Sequence, residues 1–217
     1  MRTIVYVDGF NLYYRLLKSN PRYRWLNIKI LAEELLDGSN IVETVNFYTA
    51  RISARVNPSS PRDQQLYLDA LATVPEIAVH FGSFQVNKTY AALVPPPNGA
   101  KEIFKPWPSV VRIVKTEEKG SDVNLGAHLV RDACMNNFDV AAVITNDTDL
   151  VEPIRIAIEE MGKTVGILSP VNRPAADLAA VASFLRHIRP THLARAQFAN
   201  PLPRNGKADL VKPANWV

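Results

Sequence analysis

The sequence predicts an α/β protein, a three-layer α/β/α sandwich around a mostly parallel central sheet. Three observations carry that prediction. Short apolar, β-branched runs recur along the chain, and stretches with apolar residues at helical spacing lie between them. Two of these runs end in acids: Thr3 to Val7 meets Asp8, and Val140 to Thr145 is followed by Asp147 and Asp149. No apolar run approaches the ~18 residues that span a bilayer. Strands alternating with helices build a sheet whose strands run one way, with helices on both faces.

In chain order, Thr3 to Val7 reads as a strand, and Gly9 after Asp8 permits a sharp turn. Asn11 to Lys18 is helical, with Leu12, Leu16 and Leu17 as its apolar stripe, and Asn20-Pro21 breaks it. Ile28 to Leu36 forms a second helix ending at Gly38, Val42 to Ile52 a strand and Arg62 to Ala72 a helix. Ile77 to Phe84 is a further strand in which Gly82 allows a bend. The rhythm breaks near 86–114, where Pro95, Pro96, Pro97, Asn98-Gly99, Pro106 and Pro108 point to a loop or hairpin excursion. Lys88, Lys101, Lys105, Arg112 and Lys115 accompany Tyr90, Phe104 and Trp107 there. Basic residues among aromatics suit single-stranded nucleic acid, and equally a solvated flap.

Regularity returns at Ser121 and Asp122, which open a helix carrying Leu125, Leu129 and Ala133 on its apolar side. The strand Val140 to Thr145 follows, then a helix from Leu150 with Gly162 as its C-cap. The strand Thr164 to Leu168, a helix near Ala175 to Phe184 and a short segment to Ile188 complete a domain over 1–188. Pro190, Pro201, Pro203 and Pro213 mark 189–217 as an irregular tail, with Trp216 as its anchor.

Composition narrows the class. The 217 residues are 47% hydrophobic with a net charge of +4, a mild basic excess that points only weakly to polyanionic partners. A lone cysteine, Cys134, can form neither an internal disulfide nor a cysteine-rich metal site, which fits a reducing compartment. The opening MRTIVYVDGF meets an acid too early for a signal-peptide core. The expectation is a cytoplasmic protein with no membrane segment. His80, His128, His187 and His192 form no short-spaced pair and read as structural or surface residues.

The chemistry lies in the acids. In a doubly wound sheet the strand order 3-2-1-4-5 sets the first and fourth strands side by side at the switch point, where ligands bind. Asp8, Asp147 and Asp149 then face one crevice, with Asp122 aimed at it from a neighbouring helix. Alternatively, Asp149 or Thr148 merely caps its helix, with Glu152 as capping-box partner. Clustered carboxylates repel, and one or two divalent cations relieve the repulsion; oxygen ligands suit Mg²⁺ or Mn²⁺. Such ions activate water for phosphodiester hydrolysis.

VDGFNLYY (Val7 to Tyr14), KGSDVNL (Lys119 to Leu125) and TNDTDLVEPI (Thr145 to Ile154) resemble the three motifs of the NYN family, bacterial LabA-like proteins with the PIN-like nuclease fold. FGSF (Phe81 to Phe84) and KPANW (Lys212 to Trp216) also resemble bacterial members. The resemblance implies metal ligation by Asp8, Asp122, Asp147 and Asp149, and a supporting role for Asn11. It further implies substrate contacts from Lys119, Ser121 and Thr145, with Ser121 as helix N-cap the simpler alternative. Where the family usually has Ser-Gly, this chain has Thr145-Asn146.

The function expected on that basis is a Mg²⁺- or Mn²⁺-dependent ribonuclease acting on single-stranded or structured RNA. The alternative is a non-catalytic RNA-binding or protein-interaction module, with a homo-oligomer also allowed. A phosphatase of the haloacid-dehalogenase type ranks lower, because its D-x-D belongs after the first strand. A Rossmann dinucleotide site is disfavoured, since the first turn, Asp8-Gly9-Phe10-Asn11, has no G-x-G-x-x-G.

Overall fold

In the computed structural model, which describes residues 1–52, 60–94 and 106–217, a six-stranded sheet forms the centre of the molecule. In chain order the strands are β1 (Arg2–Asp8), β2 (Ile41–Thr49), β3 (Ile77–Phe81), β4 (Ser83–Ala92), β5 (Val110–Lys119), β6 (Val140–Ile144), β7 (Thr164–Ser169), β8 (Phe184–His187), β9 (Leu202–Arg204) and β10 (Lys207–Leu210). The helices are α1 (Gly9–Leu12), α2 (Ile28–Leu35), α3 (Ser60–Leu71), α4 (Ser121–Cys134), α5 (Val151–Arg155), α6 (Ala176–Val181) and α7 (Pro190–Arg195). Both α1 and α5 run on into wider π turns, Tyr13–Leu17 and Ile156–Glu160.

The sheet order is β3-β2-β1-β6-β7-β8, and every one of its pairings is parallel. The first strand therefore lies between β2 and β6, and the switch point falls where the sequence predicted it. Side chains alternate across the pleat. Val5, Val7, Phe47 and Ile144 join a core with α2, α3 and the C-terminal segment, while Tyr6, Tyr48 and Val143 join a second core with α4, α5 and α6. This is a three-layer α/β/α fold.

Several elements differ from the sequence reading. The run Ile77 to Phe84 is two strands, broken at Gly82; beyond it β4 and β5 pair antiparallel as a separate ribbon. Pro95, Pro96, Pro97, Asn98, Gly99, Lys101, Phe104 and Lys105 lie outside the described residues. The helix expected near Ala175 to Phe184 stops at Val181, and Phe184–His187 is the sixth strand of the sheet instead. The segment 189–217 is not irregular: it holds α7 and the β9–β10 hairpin. Trp216 does anchor it, with ring centroids 6.2 Å from Trp25 and 6.3 Å from Tyr67. Among the described residues, no helix is long and apolar enough to cross a membrane.

Candidate active site

β1 ends in Asp8, whose carboxylate turns back onto the chain. It caps α1 by accepting from the Asn11 backbone N–H at 2.9 Å, and accepts from the Thr145 hydroxyl at 3.1 Å. Thr145 is wholly buried after β6, and its hydroxyl also accepts from the Asp147 N–H at 3.0 Å. One hydroxyl thus ties the ends of the two central strands together. Asn11 continues the brace, its side-chain oxygen accepting from the Asn146 N–H at 3.1 Å. The turn needs Gly9, because a Cβ there would lie 2.6 Å from the Tyr48 carbonyl oxygen of β2.

The acid pair after β6 divides its labour differently from the sequence reading. Asp147 is the cap, accepting from the Asp149 N–H at 3.0 Å, while Asp149 is exposed. Glu152 forms no capping box; it holds Arg155 at 2.6 Å. Asp122 enters from the first turn of α4. The residue ahead of that helix is Gly120, left-handed at φ 95°, so Ser121 is not the N-cap, and its buried hydroxyl has no hydrogen-bond partner among the described residues. Lys119 is exposed and lies 4.0 Å from Glu117.

The acids share one electric field. Burial pushes Asp8 up to about 7, against the lowering pull of its two hydrogen bonds, and the charges of Asp122 and Asp147 push it further. Burial, then Asp147, Glu118 and Asp149, push Asp122 up to about 6. Yet among the described residues no group of three or more His, Cys, Asp or Glu side chains is arranged to hold a metal ion.

Sequence reasoning missed two features. The first is a histidine pair. His80 on β3 and His128 on α4 lie with ring centroids 4.9 Å apart, His128 bonded to the Tyr48 hydroxyl at 2.9 Å and His80 to Asn46 at 2.8 Å. Residues 48 positions apart meet because α4 packs across β2 and β3, and no local spacing signals that. Burial lowers the pKa of both imidazoles.

The second is a cavity of about 400 Å³ beside the Asp8 turn. Gly9 and Phe10 form its edge, the π turn contributes Tyr13 and Leu17, α3 contributes Tyr67, β4 contributes Phe84, and the C-terminal segment contributes Trp216. The aromatics interlock: Phe10 meets Phe84 edge-to-face at 5.5 Å, and Tyr67 meets Phe47 at 6.2 Å. A concave, mostly apolar space with a few polar groups is the usual form of a small-molecule site. The π turn helps to form it, a common place for such irregularities.

No family model matches the chain. It is 30% identical to 6-hydroxy-3-succinoylpyridine 3-monooxygenase HspA of Pseudomonas putida, over 243 aligned residues spanning 100% of this chain and 75% of that protein. A crystal structure of a protein of unknown function from Vibrio parahaemolyticus superposes with a TM-score of 0.51 at 15% identity, covering 87% of this chain and 93% of that one. That likeness concerns the fold alone. The monooxygenase relationship overturns the ribonuclease reading and its nuclease and hydrolase classes. Acids at the carboxyl edge of a parallel sheet mark where the topology leaves an open crevice, and many chemistries use that edge.

Proposed function

The chain belongs to the family of 6-hydroxy-3-succinoylpyridine 3-monooxygenase HspA, and from that premise we propose that it is an oxidoreductase that oxygenates a small hydroxylated aromatic ring. The observation that carries the reading is the aromatic cavity, which shares Gly9 and Phe10 with the turn after Asp8. In this reading the ring lies among Phe10, Tyr67, Phe84 and Trp216, and Asp8 stands one residue before the Gly9 wall of the cavity. A carboxyl pushed up to about 7 is suited to exchange a proton near neutral pH. Loss of the hydroxyl proton enriches the ring carbons in electrons, which favours their attack on an oxidant.

At a ring carbon that bears hydrogen, the overall reaction inserts one atom of O₂ into the C–H bond and releases the other as water, consuming two electrons and two protons; a ring carbon that already bears a carbon substituent must lose it as the C–O bond forms. The electrons come from a reductant. A dinucleotide reductant in this fold class ordinarily rests on the N-terminus of the helix after the first strand. Here the Asn11 N–H at that N-terminus is taken by the Asp8 carboxylate, so the turn does not fit such a group and no step is assigned to it.

The test is O₂ uptake and ¹⁸O incorporation from ¹⁸O₂ with 6-hydroxy-3-succinoylpyridine and simpler hydroxypyridines, each with reduced nicotinamide or reduced flavin supplied. Product carrying one ¹⁸O, lost in Asp8→Asn, is the expected outcome. No uptake by protein that binds the same compounds in calorimetry would overturn it. Binding of Mg²⁺ or Mn²⁺ by Asp8, Asp122, Asp147 and Asp149 is a separate proposal. It predicts that millimolar Mn²⁺ raises the melting temperature of the wild type and not of Asp122→Asn.

A further inference from the structure

The cavity has a charge pattern that its aromatic walls obscure. Two of its lining residues are charged, Arg24 and Asp63. Arg24 is held in place without an acid: its Nε donates to the Leu17 carbonyl at 3.1 Å, one Nη2 hydrogen to the Lys18 carbonyl at 2.7 Å, and its guanidinium lies 5.4 Å from the centre of the Tyr13 ring. Those contacts fix the plane of the fork. Nη1 makes no hydrogen bond among the described residues, and no carboxylate there pairs with the side chain. Asp63 on α3 accepts from the Asn215 side chain at 3.3 Å and likewise pairs with no cation among the described residues.

An arginine and an aspartate that line one apolar cavity, each half-buried and neither neutralised by the other, are matched by a ligand that carries both complements. We infer that Arg24 and Asp63 are the specificity-determining pair of the cavity: the Arg24 Nη1 edge takes a carboxylate carried by a single planar ring, and Asp63 takes an N–H or O–H donor elsewhere on that ring. The volume of about 400 Å³ suits one ring with a short side chain. The guanidinium already has its plane set by two backbone carbonyls, so little side-chain freedom is lost when an anion docks. Asn215 holds Asp63, so the C-terminal segment takes part in recognition as well as in packing. This assignment rests on the reading of the cavity as the substrate site.

The experiment measures calorimetric Kd values for three probes: 6-hydroxynicotinate, its methyl ester, and nicotinate, which lacks the hydroxyl. The wild type is expected to bind the acid at least about tenfold more tightly than the ester, the scale of one charge-assisted hydrogen bond. In Arg24→Gln that ratio falls toward one, while Arg24→Lys, which keeps the charge and loses the fork, lies between. Asp63→Asn reduces the preference for 6-hydroxynicotinate over nicotinate and leaves the acid-to-ester ratio intact. Melting curves identify any variant that fails to fold, and the probe series on the wild type stands without them. Equal binding of acid and ester by the wild type, or a ratio that survives in a folded Arg24→Gln, overturns the inference and leaves the cavity reading in place. No binding of any probe overturns the cavity reading itself.

Discussion

Asp8 has the largest consequences of any single residue at the site. Its carboxyl stands at about 7 in the folded chain against 3.8 when unperturbed, chiefly because it is buried. A folded-state pKa raised in this way means that the unfolded chain gives up the proton first as pH rises. The stability that goes with the protonated form is complete below about pH 4 and is lost as pH climbs through 7. The shift sets a ceiling of roughly 4 kcal/mol on that loss. Asp8→Asn is therefore expected to be more stable than the wild type at pH 8 and no more stable at pH 4, in urea unfolding at both. A variant that is destabilised equally at both values would show that the carboxylate's hydrogen bonds outweigh its burial. Asn146 is the other informative residue. Where the resembled family has glycine, this side chain accepts from the Ala175 N–H at 2.9 Å and joins the loop after β6 to the start of α6. Asn146→Gly is expected to cost about 1–2 kcal/mol in the same assay, from the lost hydrogen bond and the freer backbone.

At the scale of elements, the β1–α1 turn and the C-terminal segment build the site between them. Gly9→Ala would set a methyl group 2.6 Å from the Tyr48 carbonyl and 2.7 Å from the Phe47 ring. Strain of about 1–3 kcal/mol is expected, with weakened ligand binding because Asp8 and Phe10 flank the displaced backbone. Trp216 is 6% exposed, and Trp216→Ala is expected to cost about 3–5 kcal/mol and to open the cavity wall, measured as a lower melting temperature with weaker binding of ring compounds. These elements were unequally legible. Ile4 to Val7 and Ala141 to Ile144 announced central strands because burial on both faces demands unbroken apolar runs, and the acids beside them are local in sequence. The cavity was not legible, because Phe10, Tyr67, Phe84 and Trp216 come from four parts of the chain and each alone reads as a core aromatic. Phe184 read as a helix end and the residues after it as a short segment to Ile188, because a four-residue edge strand carries no period of its own.

For the whole molecule, the strand order and the crevice between β1 and β6 followed from the alternation of strands and helices, while the chemistry did not. Acids at the carboxyl edge of a parallel sheet are compatible with many chemistries, so their positions name no reaction. The order of the sheet also governs how the molecule is made. β1 leaves the ribosome before the other five strands of the sheet and lies at its centre, where Thr3 pairs with Val42 on one side and Val140 on the other. Half of its hydrogen-bonding edge must wait for β6 to be translated. At 5–20 residues per second that interval is on the order of ten seconds. A chain stopped at residue 135 is accordingly expected to remain protease-sensitive, and one carried through β8 to gain resistance, in a pulse of protease on stalled nascent chains. Until then the nascent protein carries its central strand as an open edge.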